Sequence, residues 1–166
     1  MNWKAATVAS LVVAIAAVTW GAAQGAGRPA LSPEDHMAIH ELYATYARAY
    51  DTNEGDGKVW AETFTADGEF IYGERRAVGH KALTEYVNGR VRTGGAIQHW
   101  NANVIIRPTP EGARSSLYIM LVNAGADGKP PAIQVVTNYN DDLVKTPAGW
   151  RIKRRSAGPT IDPIRP

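Results

Sequence analysis

The residues of this sequence that are best suited to acid/base chemistry are a histidine and an aspartate, His99 and Asp51. Asp51 stands at the end of a strongly amphipathic predicted helix, and His99 lies in a predicted strand, in the run Gln-His-Trp-Asn-Ala-Asn at residues 98–103. A carboxylate that binds one ring nitrogen of a histidine fixes the tautomer and raises the basicity of the other nitrogen. We therefore predict an Asp51–His99 dyad in which His99 is a general base.

The orientation of His99 is open on the sequence alone. Strand alternation divides the following residues into two faces. One face carries His99, Asn101, Asn103 and Ile105, and the other, more apolar face carries Trp100, Ala102, Val104 and Ile106. A cavity with a polar inner face would bury His99 and make Asn103 a substrate-binding candidate, whereas the alternative is a histidine that faces solvent.

Three tyrosines are candidates for hydrogen bonding to a substrate. Tyr43 lies two four-residue steps before Asp51, on the same side of the helix, and we group it with the dyad as a catalytic candidate. Tyr50 and Tyr118 are candidate substrate-binding residues, because a phenol can donate to a carbonyl or protonate a leaving hydroxyl. The alternative for each is a core ring whose hydroxyl lies at the rim.

The last predicted strand contributes an arginine. Alternation places Arg154 on the face of Trp150 and Ile152, and it places Lys153 and Arg155 on the opposite face. An inward Arg154 can bind a substrate carboxylate or stabilise developing negative charge on an oxygen. The alternatives are an arginine that reaches solvent or a structural ion pair with Asp141 or Asp67.

The elements that position these residues begin with three helices. Ser32, Pro33 and Asp35 form a start that resembles a capping box, and apolar residues at three- and four-residue spacing continue the first helix to Asp51. The segments that follow are a shorter helix that buries Trp60 and Phe64, a strand over 69–72, a turn over 73–76 and a third helix from Gly79.

The second half of the chain has the period of strands. Turn-forming residues separate four predicted strands, at 97–107, 113–123, 132–145 and 150–156. Tight turns join antiparallel neighbours, so these strands form an antiparallel meander. Helices followed by strands predict an α+β fold, with three N-terminal helices packed on a strongly curved, mainly antiparallel sheet.

The N-terminal residues have the pattern of an export signal. Lys4 precedes an almost wholly apolar run from Ala5 to Val18, and small residues follow. We predict a signal peptide at 1–26, a linker at 27–32, one domain at 33–156 and a proline-rich tail at 157–166. The protein is then periplasmic or secreted and, after cleavage, has no membrane segment; the alternative is an uncleaved anchor.

The amino-acid composition argues against several kinds of binding site. The chain has 18 Lys plus Arg and 16 Asp plus Glu, which gives no electrostatic case for nucleic-acid binding. It has no cysteine, which excludes disulfides and thiolate sites. His36 and His40 have metal-compatible spacing but lie outside an HExxH arrangement, so we predict no metal site, and the chemistry requires no external cofactor.

The order of motifs resembles the SnoaL-like family of the nuclear-transport-factor-2-like superfamily, whose fold is a cone-shaped α+β roll. The segments that carry this resemblance span nearly the whole predicted domain and are 39–51, 60–68, Val78-Gly79, 99–103, 139–143 and 149–152. No single segment is diagnostic of the family, but the ordered set of segments is.

The resemblance implies a function for the dyad. Scytalone dehydratase-like members keep an aspartate at the end of the first helix and a histidine on an early strand, and Asp51 and His99 occupy those positions. This implies a cofactor-independent dehydratase or isomerase that acts next to a carbonyl on a small apolar ligand. Ketosteroid isomerases, polyketide cyclases and non-enzymatic binding proteins share the fold, so a non-catalytic ligand-binding or partner-binding protein is the alternative. The resemblance also implies a homodimer.

Overall fold

The computed structural model describes residues 30–90, 96–126 and 128–158. The predicted signal peptide at 1–26 lies outside the described residues, as do residues 27–29 of the linker and 159–166 of the tail. Within the three described segments, no helix combines the length and the apolar character that a membrane span requires.

Helix α1 covers Pro33–Thr52 and begins with the capping box that the sequence predicts. The Ser32 hydroxyl accepts a hydrogen bond from the Asp35 backbone N–H at 3.1 Å, and the Asp35 carboxylate accepts the Ser32 N–H at 3.2 Å. The helix ends at Asn53, whose φ of 58° is left-handed and which closes the last turn. Its buried stripe is Ile39, Leu42, Tyr43, Tyr46, Ala47 and Ala49.

The segment after α1 is less helical than the sequence suggests. A 3-10 turn at Glu54–Gly57 leads into helix α2, which covers only Lys58–Ala61. Phe64 therefore begins strand β1 (Phe64–Tyr72) instead of lying one turn after Trp60 on a helix. The predicted turn at 73–76 is the end of a hairpin, since strand β2 covers Arg75–Val78; helix α3 then covers Gly79–Asn88.

Four long strands complete one six-stranded sheet. They are β3 (Ile97–Thr109), β4 (Gly112–Asn123), β5 (Ala132–Thr146) and β6 (Gly149–Gly158). The strand order is β2-β1-β6-β5-β4-β3, in which β1 and β6 are parallel and all other neighbours are antiparallel. The predicted α+β class and the antiparallel meander are confirmed.

Two β-bulges change which side chains face the interior. On β3, the register moves from Ala102 opposite Tyr118 to Ile105 opposite Ser116, so two residues on β3 face one on β4. On β6, the register moves from Ile152 opposite Leu143 to Arg154 opposite Asp142, so Lys153 is the extra residue. Each inserted residue reverses the alternation beyond it.

Candidate active site

Asp51 and His99 are in direct contact. The Oδ1 atom of Asp51 lies 2.5 Å from Nδ1 of His99, and Oδ2 accepts a hydrogen bond from the His99 backbone N–H at 2.9 Å. The side chain of His99 is 1% exposed and that of Asp51 is 16% exposed. Because the carboxylate binds Nδ1, Nε2 is the ring nitrogen that it leaves for a substrate.

The elements explain how this pair forms. Asp51 lies in the last turn of α1, and His99 is the third residue of β3, before the bulge in that strand. Beyond the bulge, Ile106 is 5% exposed and also points inward, although it is an odd number of residues from His99. The bulge therefore allows both a polar and an apolar residue of β3 to face the interior.

Aromatic rings enclose the imidazole. The ring centroid of Tyr50 lies 4.7 Å from that of His99, and the centroid of Tyr46 lies 6.1 Å away, both with the rings at steep angles. The Arg90 guanidinium covers the Tyr50 ring at 4.0 Å and donates to the Tyr50 carbonyl. Burial raises the pKa of Tyr50 to about 12, so this phenol is protonated at neutral pH.

Tyr43 forms its hydrogen bonds with Asp141 and Ser115, which lie outside the dyad. Its hydroxyl donates to the Asp141 carboxylate at 2.8 Å and shares a hydrogen bond with the Ser115 hydroxyl. Burial is the main cause that raises the pKa of Tyr43 well above its ordinary value. The structure therefore places this tyrosine in a buried polar cluster, with its hydroxyl committed to Asp141.

The centre of that cluster is an ion pair between Arg155 and Asp141. Two bonds, of 2.7 and 2.6 Å, join the guanidinium to the carboxylate, and the side chains are 1% and 0% exposed. The guanidinium also lies 4.1 Å from the ring centroid of Tyr46 and 4.2 Å from that of Tyr139. Two carboxylate contacts and the faces of aromatic rings compensate for the loss of hydration.

The prediction that Arg154 faces inward is wrong. Its side chain is 53% exposed, and its guanidinium lies 3.6 Å from the Glu69 carboxylate. The inserted residue Lys153 reverses the alternation after Ile152, which turns Arg155 inward and Arg154 outward. Lys153 itself pairs with Asp67.

Two further candidates do not face the interior. Tyr118 is 47% exposed on the outer face of β4, between Leu117 and Ile119, which are both fully buried. Asn103 is exposed in the β3 bulge, with a left-handed φ of 51°. The expectation that these side chains line the interior is wrong. Strand alternation around Leu117 could have placed Tyr118 on the outer face, whereas the orientation of Asn103 depends on the bulge.

Sequence reasoning missed two buried donors close to the dyad. Tyr46 is 1% exposed and Trp60 is fully buried, and their ring centroids lie 5.4 Å apart. The Tyr46 hydroxyl interacts with the side chains of Tyr139, Arg155 and Trp60. Their apolar spacing marks both as core residues, which conceals their polar atoms.

A metal centre finds no support in the described residues. In the parts of the chain that the structure describes, no three His, Cys, Asp or Glu side chains come together in a group that could hold a metal ion.

A cleft of about 380 Å³ lies outside the dyad region, between α1, α2 and the β5–β6 turn, where its lining includes Glu41, Glu62 and Trp150.

A family model for the SnoaL-like domain matches residues 32–156 of the chain. A comparison with curated protein sequences finds no significant match. Both the dyad and the Arg155–Asp141 pair lie inside the matched segment.

Many solved structures share the fold. A variant of Rv3472, a protein of unknown function from Mycobacterium tuberculosis, is 27% identical with a TM-score of 0.64, and the alignment covers 77% of this chain and 76% of that one. An NTF2-like protein with a cystatin-like fold from Novosphingobium aromaticivorans is 23% identical with a TM-score of 0.67, covering 79% and 85%. ActVI-ORFA from Streptomyces coelicolor is 20% identical with a TM-score of 0.66, covering 74% and 94%.

Proposed function

The chain belongs to the SnoaL-like domain family. From this membership we propose that it is a small-molecule acid/base enzyme, a lyase or isomerase that acts next to a carbonyl group, and from its N-terminal sequence we propose that it is exported. Asp51 and His99 form its dyad. The observation that carries the proposal is the double contact of Asp51 with His99, at 2.5 Å to the ring Nδ1 and 2.9 Å to the backbone N–H.

The chemistry follows from this contact. Asp51 keeps the proton on Nδ1, so that the lone pair of Nε2 removes a proton from the carbon next to the substrate carbonyl. In an elimination, the electron pair of that C–H bond forms the new double bond, and a β-hydroxyl leaves as water with the proton from the imidazolium. In an isomerisation, the imidazolium returns the proton to another carbon. A positioned acid/base group of this kind contributes about 10²–10⁴-fold to a rate.

The surroundings support a small apolar ligand that bears a carbonyl. The rings of Tyr46 and Tyr50 lie against His99, and Trp60 packs against both.

The N-terminal sequence supports export to the periplasm or outside the cell. A homodimer through the outer sheet face is supported by exposed apolar residues there, with Trp100 at 53% and Val136 at 71% exposed.

A specific observation favours the second candidate, a binding protein without catalysis. The His99 side chain is only 1% exposed, and its backbone is bound to the same carboxylate. A pair in this setting also ties the end of α1 to β3, which is a purely structural role. The same aromatic interior would then hold a ligand or support a partner surface without turnover.

The test is a panel of cyclic β-hydroxy ketones and β,γ-unsaturated ketones, whose elimination or isomerisation gives an absorbing conjugated ketone. We expect turnover by the wild type and a loss of about 100-fold or more in kcat for His99→Gln, with an unchanged fold by circular dichroism. His40→Gln, at an exposed position of α1, is the matched control and keeps full activity. Turnover that survives His99→Gln would refute the dyad, and ligand binding without turnover by the wild type would favour the binding protein.

A further inference from the structure

An arginine that follows α3 binds the end of α1 that carries the dyad carboxylate. Arg90 lies two residues after the end of α3, and its guanidinium donates a hydrogen bond to the backbone carbonyl of Tyr50. The same guanidinium covers the ring of Tyr50, 4.0 Å from the centroid. Because Tyr50 directly precedes Asp51, Arg90 binds α1 immediately beside the dyad.

The charge of Arg90 compensates for an unfavourable feature of α1. The C-terminal end of a helix carries partial negative charge, which disfavours a carboxylate and favours a cation. Asp51 lies in the last turn of α1, and no basic residue belongs to this fully described turn. A guanidinium from elsewhere in the chain, bound to one of the last carbonyls, therefore supplies the cation that the helix itself lacks.

The ring contact connects Arg90 to the proposed base. The Tyr50 ring packs against the imidazole of His99, with the centroids 4.7 Å apart and the ring planes at 76°. A guanidinium over an aromatic ring is attracted by the π electrons and holds the ring in place. Arg90 therefore fixes Tyr50 twice, through its carbonyl and through its ring, in contact with the imidazole.

The end of α3 that carries Arg90 is itself fixed to the segment after α1. The Asn88 side chain donates a hydrogen bond to the Asp56 carbonyl at 2.8 Å. Gly57 lies so close to Val87 that a Cβ atom on this glycine would be 2.3 Å from the valine side chain. These contacts set the distance between the ends of α1 and α3, so the fold determines where the guanidinium lies.

We propose that Arg90 is a positioning residue for the Asp51–His99 dyad. It caps the end of α1 so that the Asp51 carboxylate meets the imidazole, and it holds the Tyr50 ring against that imidazole. The proposal rests on the proposed function for the role of His99 as a base, whereas the effect of Arg90 on the imidazole can be measured without a substrate. A displaced base reacts more slowly, since a misplacement of about 1 Å costs up to about 100-fold in rate.

The first measurement is proton NMR of the His99 ring in the full protein. The chain has four histidines, and His99→Gln identifies the His99 signals by their loss. An aromatic ring displaces the resonances of nearby protons, so we expect Arg90→Met to shift the His99 signals and to leave those of His40 unchanged. Arg90→Lys keeps the charge and a donor but lacks the planar guanidinium, so its His99 signals should lie between those of the wild type and Arg90→Met. Arg48→Met, at an exposed arginine of α1, is the matched control and leaves all the signals unchanged.

The second measurement is turnover of the same hydroxy ketones and unsaturated ketones, with rates referred to the folded fraction from circular dichroism. Loss of a positioning residue acts on the chemical step more than on substrate binding. We therefore expect kcat of Arg90→Met to fall about tenfold or more, with KM changed by less than about twofold. Arg90→Lys should recover part of kcat, and Arg48→Met should keep the wild-type value.

The outcomes separate this proposal from the proposed function. Equal His99 signals in the wild type and Arg90→Met, or equal shifts in Arg90→Met and Arg48→Met, would overturn the positioning role. A wild-type kcat in Arg90→Met, with turnover abolished by His99→Gln, would also overturn it and leave the dyad intact. If Arg90→Met shifts the His99 signals but turnover does not depend on His99, the proposed function fails and Arg90 still positions the imidazole. If Arg90→Met does not fold, Arg90→Lys decides: shifted His99 signals with a reduced kcat support the proposal, and wild-type signals or a wild-type kcat overturn it.

Discussion

Both carboxylate oxygens of Asp51 bind the same residue, His99, one through the ring and the other through the backbone. The backbone bond fixes the start of β3 against the end of α1, and the ring bond fixes the imidazole within that frame. Position and tautomer of the proposed base therefore depend on one side chain.

The first prediction follows from this shared dependence. Asp51→Asn replaces one acceptor oxygen by an amide donor, so the side chain can no longer accept from both the backbone N–H and Nδ1–H. We expect nitrogen NMR of the His99 ring to show loss of the Nδ1–H tautomer, together with a fall of at least tenfold in any ketone turnover. An unchanged ring tautomer in Asp51→Asn would contradict the role we give to the carboxylate.

The second prediction concerns the buried ion pair. Arg155→Met leaves the Asp141 carboxylate buried without its cation, so we expect the free energy of unfolding to fall by about 3–5 kcal/mol in urea titrations. Adding Asp141→Asn to this variant removes the stranded charge, keeps an oxygen that accepts from Tyr43, and should restore part of the loss. The neighbouring Arg154→Met is the matched control, since that side chain is 53% exposed and should change stability by less than about 1 kcal/mol. Equal losses at the two arginines would contradict the assignment of faces on β6.

The third prediction is a pH dependence that originates at Asp35. Its carboxylate accepts hydrogen bonds from Lys145, from the Trp150 indole and from the Ser32 backbone, and these bonds lower its pKa below the ordinary 3.8. Because the unfolded chain binds this proton more readily, the stabilisation is present above pH 3.8 and is lost as the pH falls below it. We expect the stability difference between wild type and Asp35→Asn to shrink between about pH 5 and pH 2 in denaturant titrations. A difference that stays constant over this range would exclude the mechanism.

The fourth prediction tests the bulge on β3. Asn103 has a φ of 51°, which β-branched residues adopt only at a high energetic cost. Asn103→Gly should keep the wild-type stability within about 1 kcal/mol, whereas Asn103→Val should lose about 1–3 kcal/mol. Asn101→Val, at an exposed position of the same strand with ordinary φ, is the control. If valine is tolerated equally at both positions, the left-handed conformation is not required.

Much of the fold was predictable because its signals are local. The capping box of α1, its apolar stripe and the turns between β3, β4, β5 and β6 each depend on residues close in the chain. The Asp51–His99 proximity was suggested by the ordered motifs of the family and not by alternation, which grouped His99 with a polar face.

The errors at Arg154 and Asn103 arise where the strand period is interrupted. The sequence predicts uniform alternation along β6, and Lys153 breaks it, so Arg154 and Arg155 exchange the roles expected of them. A bulge depends on the register of the neighbouring strand, which a single sequence does not contain. The interaction of the Tyr46 hydroxyl with Tyr139 and Trp60 was equally hidden, since periodicity predicts burial of a ring and not the partner of its polar atom.

The inserted residue Lys153 also affects how the sequences of related chains are aligned. A relative that lacks the residue at this point would pair Ile152 and Arg154 with Leu143 and Asp142 without a bulge, and Arg155 would still lie opposite Asp141. A single residue can therefore be gained or lost within this strand without exchanging the chemical groups that face the interior. Alignments of such chains that place gaps only in loops would pair residues that face opposite sides of the sheet.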